Sequence, residues 1–429
     1  MTLHRNVSEI LKGSLPYLAS GIVNSAAPFV VSLFVSRYLG REALGVFSVC
    51  FALVLAGILV SDLGLNSLIM REFAGTRQPT SMDLRTLLFV RTFASTIAGV
   101  GVIIVATFFI SSTDLLLLGS TAFVLIVLRS VAGTLENVMK ARLYRAAYAA
   151  VMIASSAAHV LLVYLVLSSG SRIASVFLTM AGVETAKTLL LMWIGRQELK
   201  PPAHVSPLSG QALGLLLQQG LPFALIGILT LINERSALFF LSKIWGNGEA
   251  GIYAAADRFL TIGTLIDSSL FASAFPILSL FRGDSHFHRV TRQTLSITFS
   301  VGVVGALILI IGSPLLIGLS FRYPESIGLL RILSLSLPAL LWNSIIRIAL
   351  FSSCREKSVA TVFGVACALN IGLNIILVPR FASTGAALVA VFTEYFMSAM
   401  YGFLYLRSML HDLGPVHQGI GKAVSGANS

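Results

Sequence analysis

The chain has 429 residues, of which 56% are hydrophobic and only 11% charged, and its formal net charge is +12. A soluble protein carries about a quarter charged residues, so this chain cannot cover itself with a water-compatible surface and belongs in a membrane. The positive charge does not mark a nucleic-acid binder, because the basic residues lie between apolar stretches and form no continuous stripe.

The N-terminus places Arg5 and Lys12 ahead of an apolar stretch that runs to Ser36 without a small-x-small cleavage site, so it reads as a span and not a removable leader. Stretches 13–36, 92–113, 146–171, 293–321 and 358–379 contain no Asp, Glu, Lys or Arg. A helix needs about 20 apolar residues to cross the hydrocarbon core. The same criterion adds 43–70, 115–137, 173–195, 214–242, 251–279, 326–351 and 383–406, which carry isolated charges. The sum is an all-α membrane protein of twelve transmembrane helices. Continuous apolar runs exclude a β-barrel. Loops on the side of the termini hold seventeen Lys and Arg, and the opposite loops hold six. That asymmetry predicts both termini in the cytoplasm. Cys50, Cys354 and Cys367 lie in or beside apolar segments without metal-ligand spacing and read as packing residues.

The chain also resembles itself at a displacement of 206. Leu15-Pro16-Tyr17 recurs as Leu221-Pro222-Phe223, and FVSRYLGREALGVF from Phe34 recurs without a gap as FLSKIWGNGEAGIY from Phe240. Gly40/Gly246 and Gly45/Gly251 are identical pairs in that alignment. Six helices per copy is an even number, so both copies enter the membrane from one side and the repeat is parallel. The predicted organisation is a six-helix bundle over 1–198, a cytoplasmic linker over 199–213 with Pro201, Pro202 and Pro207, a second bundle over 214–408, and a disordered cytoplasmic tail over 409–429. Pro16 and Pro222 head the two bundles and are candidate bending points, with static kinks the equal alternative.

Three motifs in 34–75, RYLGREALGVFS, SDLGLNS and MREFAG, resemble the polysaccharide-synthesis, Wzx-like branch of the multidrug/oligosaccharidyl-lipid/polysaccharide (MOP) exporter superfamily. The second half continues with LSKIWGNGEAGIYAAADR, LRILSLSLP and NIGLNIILVPRFASTGAALV. In the last piece the family's first Gly is Ser383 or absent. The resemblance covers nearly the whole chain. It implies two pseudo-symmetric bundles in a V around a polar cavity and alternating access. It implies a flippase that moves undecaprenyl-diphosphate-linked oligosaccharide for O-antigen, capsule or exopolysaccharide assembly in a bacterial inner membrane. The partners it implies are the polyprenyl-diphosphate-linked glycan, the bilayer, a polysaccharide polymerase and glycosyltransferases.

Charges inside the spans are the candidate site, because each costs about 2.5–3.5 kcal/mol at mid-bilayer. Arg129 lies mid-span with no acid within one turn. Arg235 sits beside Glu234 and Arg258 beside Asp257, but sequence neighbours on a helix point about 100° apart. Arginine keeps its proton and offers a donor fork suited to diphosphate oxygens. Arg129, Arg235 and Arg258 are therefore candidate substrate contacts, with interhelical pairing as the alternative. Arg347, one turn from a cytoplasmic helix end, is a candidate contact on the substrate's way in. Arg91, Glu136 and Arg331 lie near span ends and read as snorkelling side chains. Lys187 follows Glu184 by three residues and pairs with it on one face. Asp62, Glu184, Asp267 and Glu394 are candidate proton or Na⁺ carriers, or else partners for nearby arginines. His159 reads as a packed polar residue.

No enzyme constellation, cofactor motif or ATP site appears, so an ion gradient (H⁺ or Na⁺) or the substrate gradient must supply the energy. Two rivals stay open. A multidrug exporter of the same fold would favour an acid-lined cavity, and a polymerase or ligase would need a sizeable outer loop.

Overall fold

The computed structural model describes residues 2–62, 64–66, 69, 84–109, 115–141, 144–197, 210–280, 286–353 and 355–413. Regular structure there is helical, with no strand among the described residues. Eleven α-helices follow in order: α1 Thr2–Asp62, α2 Leu84–Phe109, α3 Leu115–Ala141, α4 Arg145–Ser168, α5 Ile173–Ile194, α6 Gly210–Ile244, α7 Asn247–Leu280, α8 His286–Leu319, α9 Glu325–Ser334, α10 Leu337–Ser352 and α11 Glu356–Leu413.

Among the described residues, nine helical stretches are long and apolar enough to cross a bilayer, with α9 and α10 forming one of them. The chain is a multi-pass membrane protein. Its outward faces agree. Phe89, Phe93, Ile97, Ile104 and Phe108 recur on one exposed stripe of α2, and Ile297, Val301, Val304, Ile308, Ile311, Leu315 and Leu319 on α8. Helical spacing that turns apolar side chains outward suits lipid and not water.

Helix α1 has 61 residues and α11 has 58. At 1.5 Å per residue, α1 would extend about 90 Å as one rod, three times the hydrocarbon core. Each is interrupted once. Gly40 (φ 84°, ψ −176°) breaks α1, a conformation that costs glycine little. Ala382 (φ 47°, ψ −133°) breaks α11, where an L side chain is strained. The positive φ falls on Ala382, next to Ser383, so the chain breaks here without a glycine. The span expected at 251–279 falls on α7, which is not among the nine, so the count of twelve stays an expectation.

Contacts group the chain into two compact units, residues 1–254 and 255–429. In the first, α1 packs on α2, α4 and α6, and α3 packs on α2 and α5. In the second, α10 packs on α8 and α11, and α9 joins them. This grouping follows packing and not sequence copies, so it does not test the bundles expected at 1–198 and 214–408. Most of the expected linker, and the tail beyond residue 413, lie outside the described residues, and α6 already begins at Gly210. Pro16 lies in α1 and Pro222 in α6, with side chains outside the described set.

The repeat is visible in backbone geometry. Gly246 (φ 87°), between α6 and α7, repeats the positive φ of Gly40. Gly57 and Gly263, also 206 apart, each make room for a side chain of a neighbouring helix, Ile126 of α3 and Leu337 of α10.

Candidate functional site

Inside the first unit, α1, α3, α4 and α5 enclose a pocket lined by Asn24, Pro28, Phe47, Phe51, Arg129, Ser155, Ser156, His159, Glu184 and Lys187, among others. Charges alternate through it. Arg129 Nε donates to Glu184 Oε1 at 2.9 Å. Lys187 Nζ lies 2.7 Å from Glu184 Oε2 and 3.1 Å from Glu136 Oε1. Glu184 is thus shared by two cations from different helices, and Lys187 by two acids.

Burial explains why the row must be complete. Glu184 and Lys187 expose 9% and 8% of their side chains, and an unpaired charge at such sites is strongly destabilising. Arg129 is the open end of the row. Its side chain is 25% exposed, its carbon Cζ lies 5.8 Å from the Phe51 ring centre, and it spends only Nε on Glu184. The Nη fork is left for a further acceptor. His159 Nε2, on the same pocket, is buried without a hydrogen-bond partner among the described residues. The enclosed space is about 30 Å³, room for about one water or two.

On the outer side of the same wall, α1 and α4 form an apolar groove of about 520 Å³. Ile22, Val23, Ala26, Val30 and Phe34 line one side, and Ala157, Val160, Leu161 and Tyr164 the other. Phe34 and Tyr38 meet the Tyr164 ring at 5.5 and 6.4 Å. Ala27 and Ser156 line both pocket and groove, so two small residues separate the charged row from the apolar trough.

The second unit holds a different polar cluster. Asn343 on α10 donates to Glu394 Oε2 and to the Glu394 carbonyl, both at 3.0 Å. Ser398 donates to Asn343 Oδ1 at 2.8 Å. Asn370 donates to Thr393, and Asn374 to Asn370 Oδ1, at 3.2 and 2.9 Å. Among the described residues no group of three or more His, Cys, Asp and Glu has the makings of a metal site.

The remaining sequence candidates fall as follows. Asp62 pairs with Arg91, which is 1% exposed, so Arg91 does not snorkel. Glu136 does not either, since Lys187 holds it at 15% exposure. Arg331, exposed, reaches Ser313 at 3.0 Å. Arg235 is half-buried on α6 with Glu234 exposed beside it. Arg258 is buried on α7 with Asp257 half-buried. Arg347 stands 5.7 Å from the Phe363 ring. None of Arg235, Arg258 and Arg347 lines the pocket around Arg129. The side chain of Asp267 lies outside the described set. Sequence reasoning missed Asn24, Phe51 and Ser156, and missed Asn343 and Ser398. It read Asn370 and Asn374 only as motif letters. For three of them the signal was present: Asn24, Asn370 and Asn374 are amides inside charge-free spans, the last two at i, i+4.

A family model described as polysaccharide biosynthesis protein matches residues 10–282. No curated protein matches the chain. Among solved structures, the lipid II flippase MurJ in an inward closed conformation aligns with a TM-score of 0.70 at 15% identity, covering 92% of this chain and 87% of that one. An inward-facing multidrug resistance MATE family transporter of the MOP superfamily aligns at 0.66 and 16%, covering 94% and 95%. A MOP superfamily transporter from Pyrococcus furiosus, described as having a binding pocket of reverse polarity, aligns at 0.63 and 14%, covering 94% and 95%. At these identities the likeness shows a shared fold alone.

Proposed function

The chain belongs to the polysaccharide biosynthesis protein family, and from that premise we propose that it is a flippase for polyprenyl-diphosphate-linked oligosaccharide. The observation that carries the proposal is the shared wall. A cationic pocket and an apolar groove meet at Ala27 and Ser156, and a lipid-linked diphosphate needs both within one molecule's reach. The Arg129 fork supplies donors for phosphate oxygens. The groove offers part of the isoprenoid tail an apolar bed of ordinary ligand size. A cationic drug would meet Arg129 and Lys187 in that pocket, which favours the flippase over the multidrug exporter. The work is transport with no covalent chemistry, in the bacterial inner membrane with both termini cytoplasmic.

The pocket admits about one or two waters when closed, so the diphosphate binds only when α1 and α4 part. That requirement supports alternating access over a static pore. Arg235, Arg258 and Arg347 are further contacts along the path. Glu394 is the acid that takes up a proton or joins Na⁺ during the cycle, with Glu184, already held by two cations, as the alternative. A polymerase and glycosyltransferases are the partners that would supply and consume the glycan.

Ala157→Trp tests the groove. Filling it should lower transport of a lipid-linked glycan at least several-fold in reconstituted vesicles, with normal membrane levels. Wild-type transport by that variant would remove the tail from this groove. Reporter fusions after Lys12 and after Arg407 should both report cytoplasm, and an external signal from either would overturn the orientation.

A further inference from the structure

Two glycines of the duplicated motif occur in both copies, and the flippase reading so far uses neither. The first, Gly40 or Gly246, takes positive φ and sets the turn. The second, Gly45 or Gly251, is buried in a helix, where glycine needs another reason, because alanine favours the helix more.

The reason is a reciprocal contact. A Cβ added at Gly45 would lie 1.8 Å from the Asn247 carbonyl oxygen, and one added at Gly251 would lie 2.0 Å from the Arg41 carbonyl oxygen. Arg41 and Asn247 are themselves equivalent residues, 206 apart, as Gly45 and Gly251 are. Residue i of one copy touches residue j of the other, and j touches i, which is the signature of a twofold contact. Chance packing would not produce both members of the pair. All four residues lie in the first compact unit, where α1 meets the start of α7. Ser242 Oγ donates to Asn247 Oδ1 at 2.6 Å and ties the second turn together. Helix backbones this close touch through Cα–H and carbonyl groups, which are individually weak.

We propose that this reciprocal glycine contact is the closing surface of the outer face of the transporter. The outer face opens by parting Gly45 from Asn247 and Gly251 from Arg41 in one movement. The proposal rests on the flippase reading and on the orientation that puts these turns outside. Backbone against backbone suits a gate: it seals closely without interlocked side chains, so it can part. It also explains why the motif spaces its glycines as it does, the first to turn the chain and the second to admit the other copy.

A disulfide tests the contact. A Cβ at Gly248 lies 3.6 Å from Glu42 Cγ, the atom whose place a cysteine sulfur at 42 would take, so the two positions are close enough to try a Glu42→Cys, Gly248→Cys disulfide. In the full chain in membranes, mild oxidation should form that bond, mapped by peptide mass. Glycan transport should then fall at least tenfold and return with reductant. Failure of the bond to form, or full transport with the bond in place, would overturn the proposal. In the same double-cysteine protein, Gly45→Ala and Gly251→Ala should each lower the crosslink yield several-fold. Gly101→Ala, at a position with nothing within 4 Å, should leave it unchanged. Equal yields in all three would remove the glycines from the closing surface. Crosslink yield needs no substrate, so it decides the contact even if the protein moves no lipid-linked glycan.

Discussion

Glu184 and Glu394 stand in the last helix of each half, 210 positions apart, and the protein treats them differently. Glu184 is bridged by Arg129 and Lys187 within 3 Å and lines a pocket beside an apolar groove. Glu394 accepts an amide of Asn343 and belongs to a cluster of hydroxyls and amides. In the first half the open end of the row is Arg129, 25% exposed, the residue proposed above as the anion contact. In the second half the carboxylate stands in a cluster that includes the amide of Asn343 and the hydroxyl of Ser398.

The largest expected effect is at the open end of the ionic row. Arg129→Ala should reduce glycan transport more than tenfold with normal membrane levels, whereas Asn343→Ala should leave substrate binding intact. Arg129→Lys should recover only part of the activity, because a point charge cannot hold Glu184 and keep a free donor fork. If both Arg129 variants transport at the wild-type rate, the first half is no anion site and the contrast collapses.

Next comes stability. Glu184→Gln leaves Arg129 without its partner and Lys187 with one acid instead of two. It should cost about 3–5 kcal/mol, the usual penalty for breaking a buried pair, read as thermal unfolding in detergent. Glu394→Gln keeps an acceptor for Asn343 and should cost less. Equal losses would mean that Glu394 is as deeply bound to charge as Glu184.

How much of this was legible in the sequence depended on the kind of signal. The repeat was, because Gly40 and Gly246 are letters that the backbone needs, and both appear with positive φ. Most spans were, because apolar length is additive along the chain, although the one expected at 251–279 is not among the nine long apolar stretches. Arg129 was legible as an isolated charge, but its partner Glu184 was not, because 55 residues separate them and only helix packing joins them. Arg91 was misread as snorkelling because its sequence position is near a span end, while its burial against Asp62 is a property of two helices. Asn343 and Ser398 are uncharged, so a search for costly charges passed over them.

The smallest expected effect compares the two broken helices. α1 breaks at a glycine and α11 at an alanine, each with positive φ. Ala382→Gly should relieve strain and raise stability by about 1 kcal/mol, and Gly40→Ala should lower it by a similar amount. Opposite signs in a thermal-shift measurement would support the two assignments, and a destabilised Ala382→Gly would contradict the strain.

The most direct test of the proposed anion contact at Arg129 is transport itself. The purified protein is reconstituted into vesicles carrying a polyprenyl-diphosphate oligosaccharide, and the appearance of glycan on the opposite leaflet is followed with a lectin or glycosidase. The account predicts rapid movement by the wild-type protein, a more than tenfold loss for Arg129→Ala, and no movement of the same glycan on an uncharged lipid. Equal movement of charged and uncharged lipids, unaffected by Arg129→Ala, would contradict it.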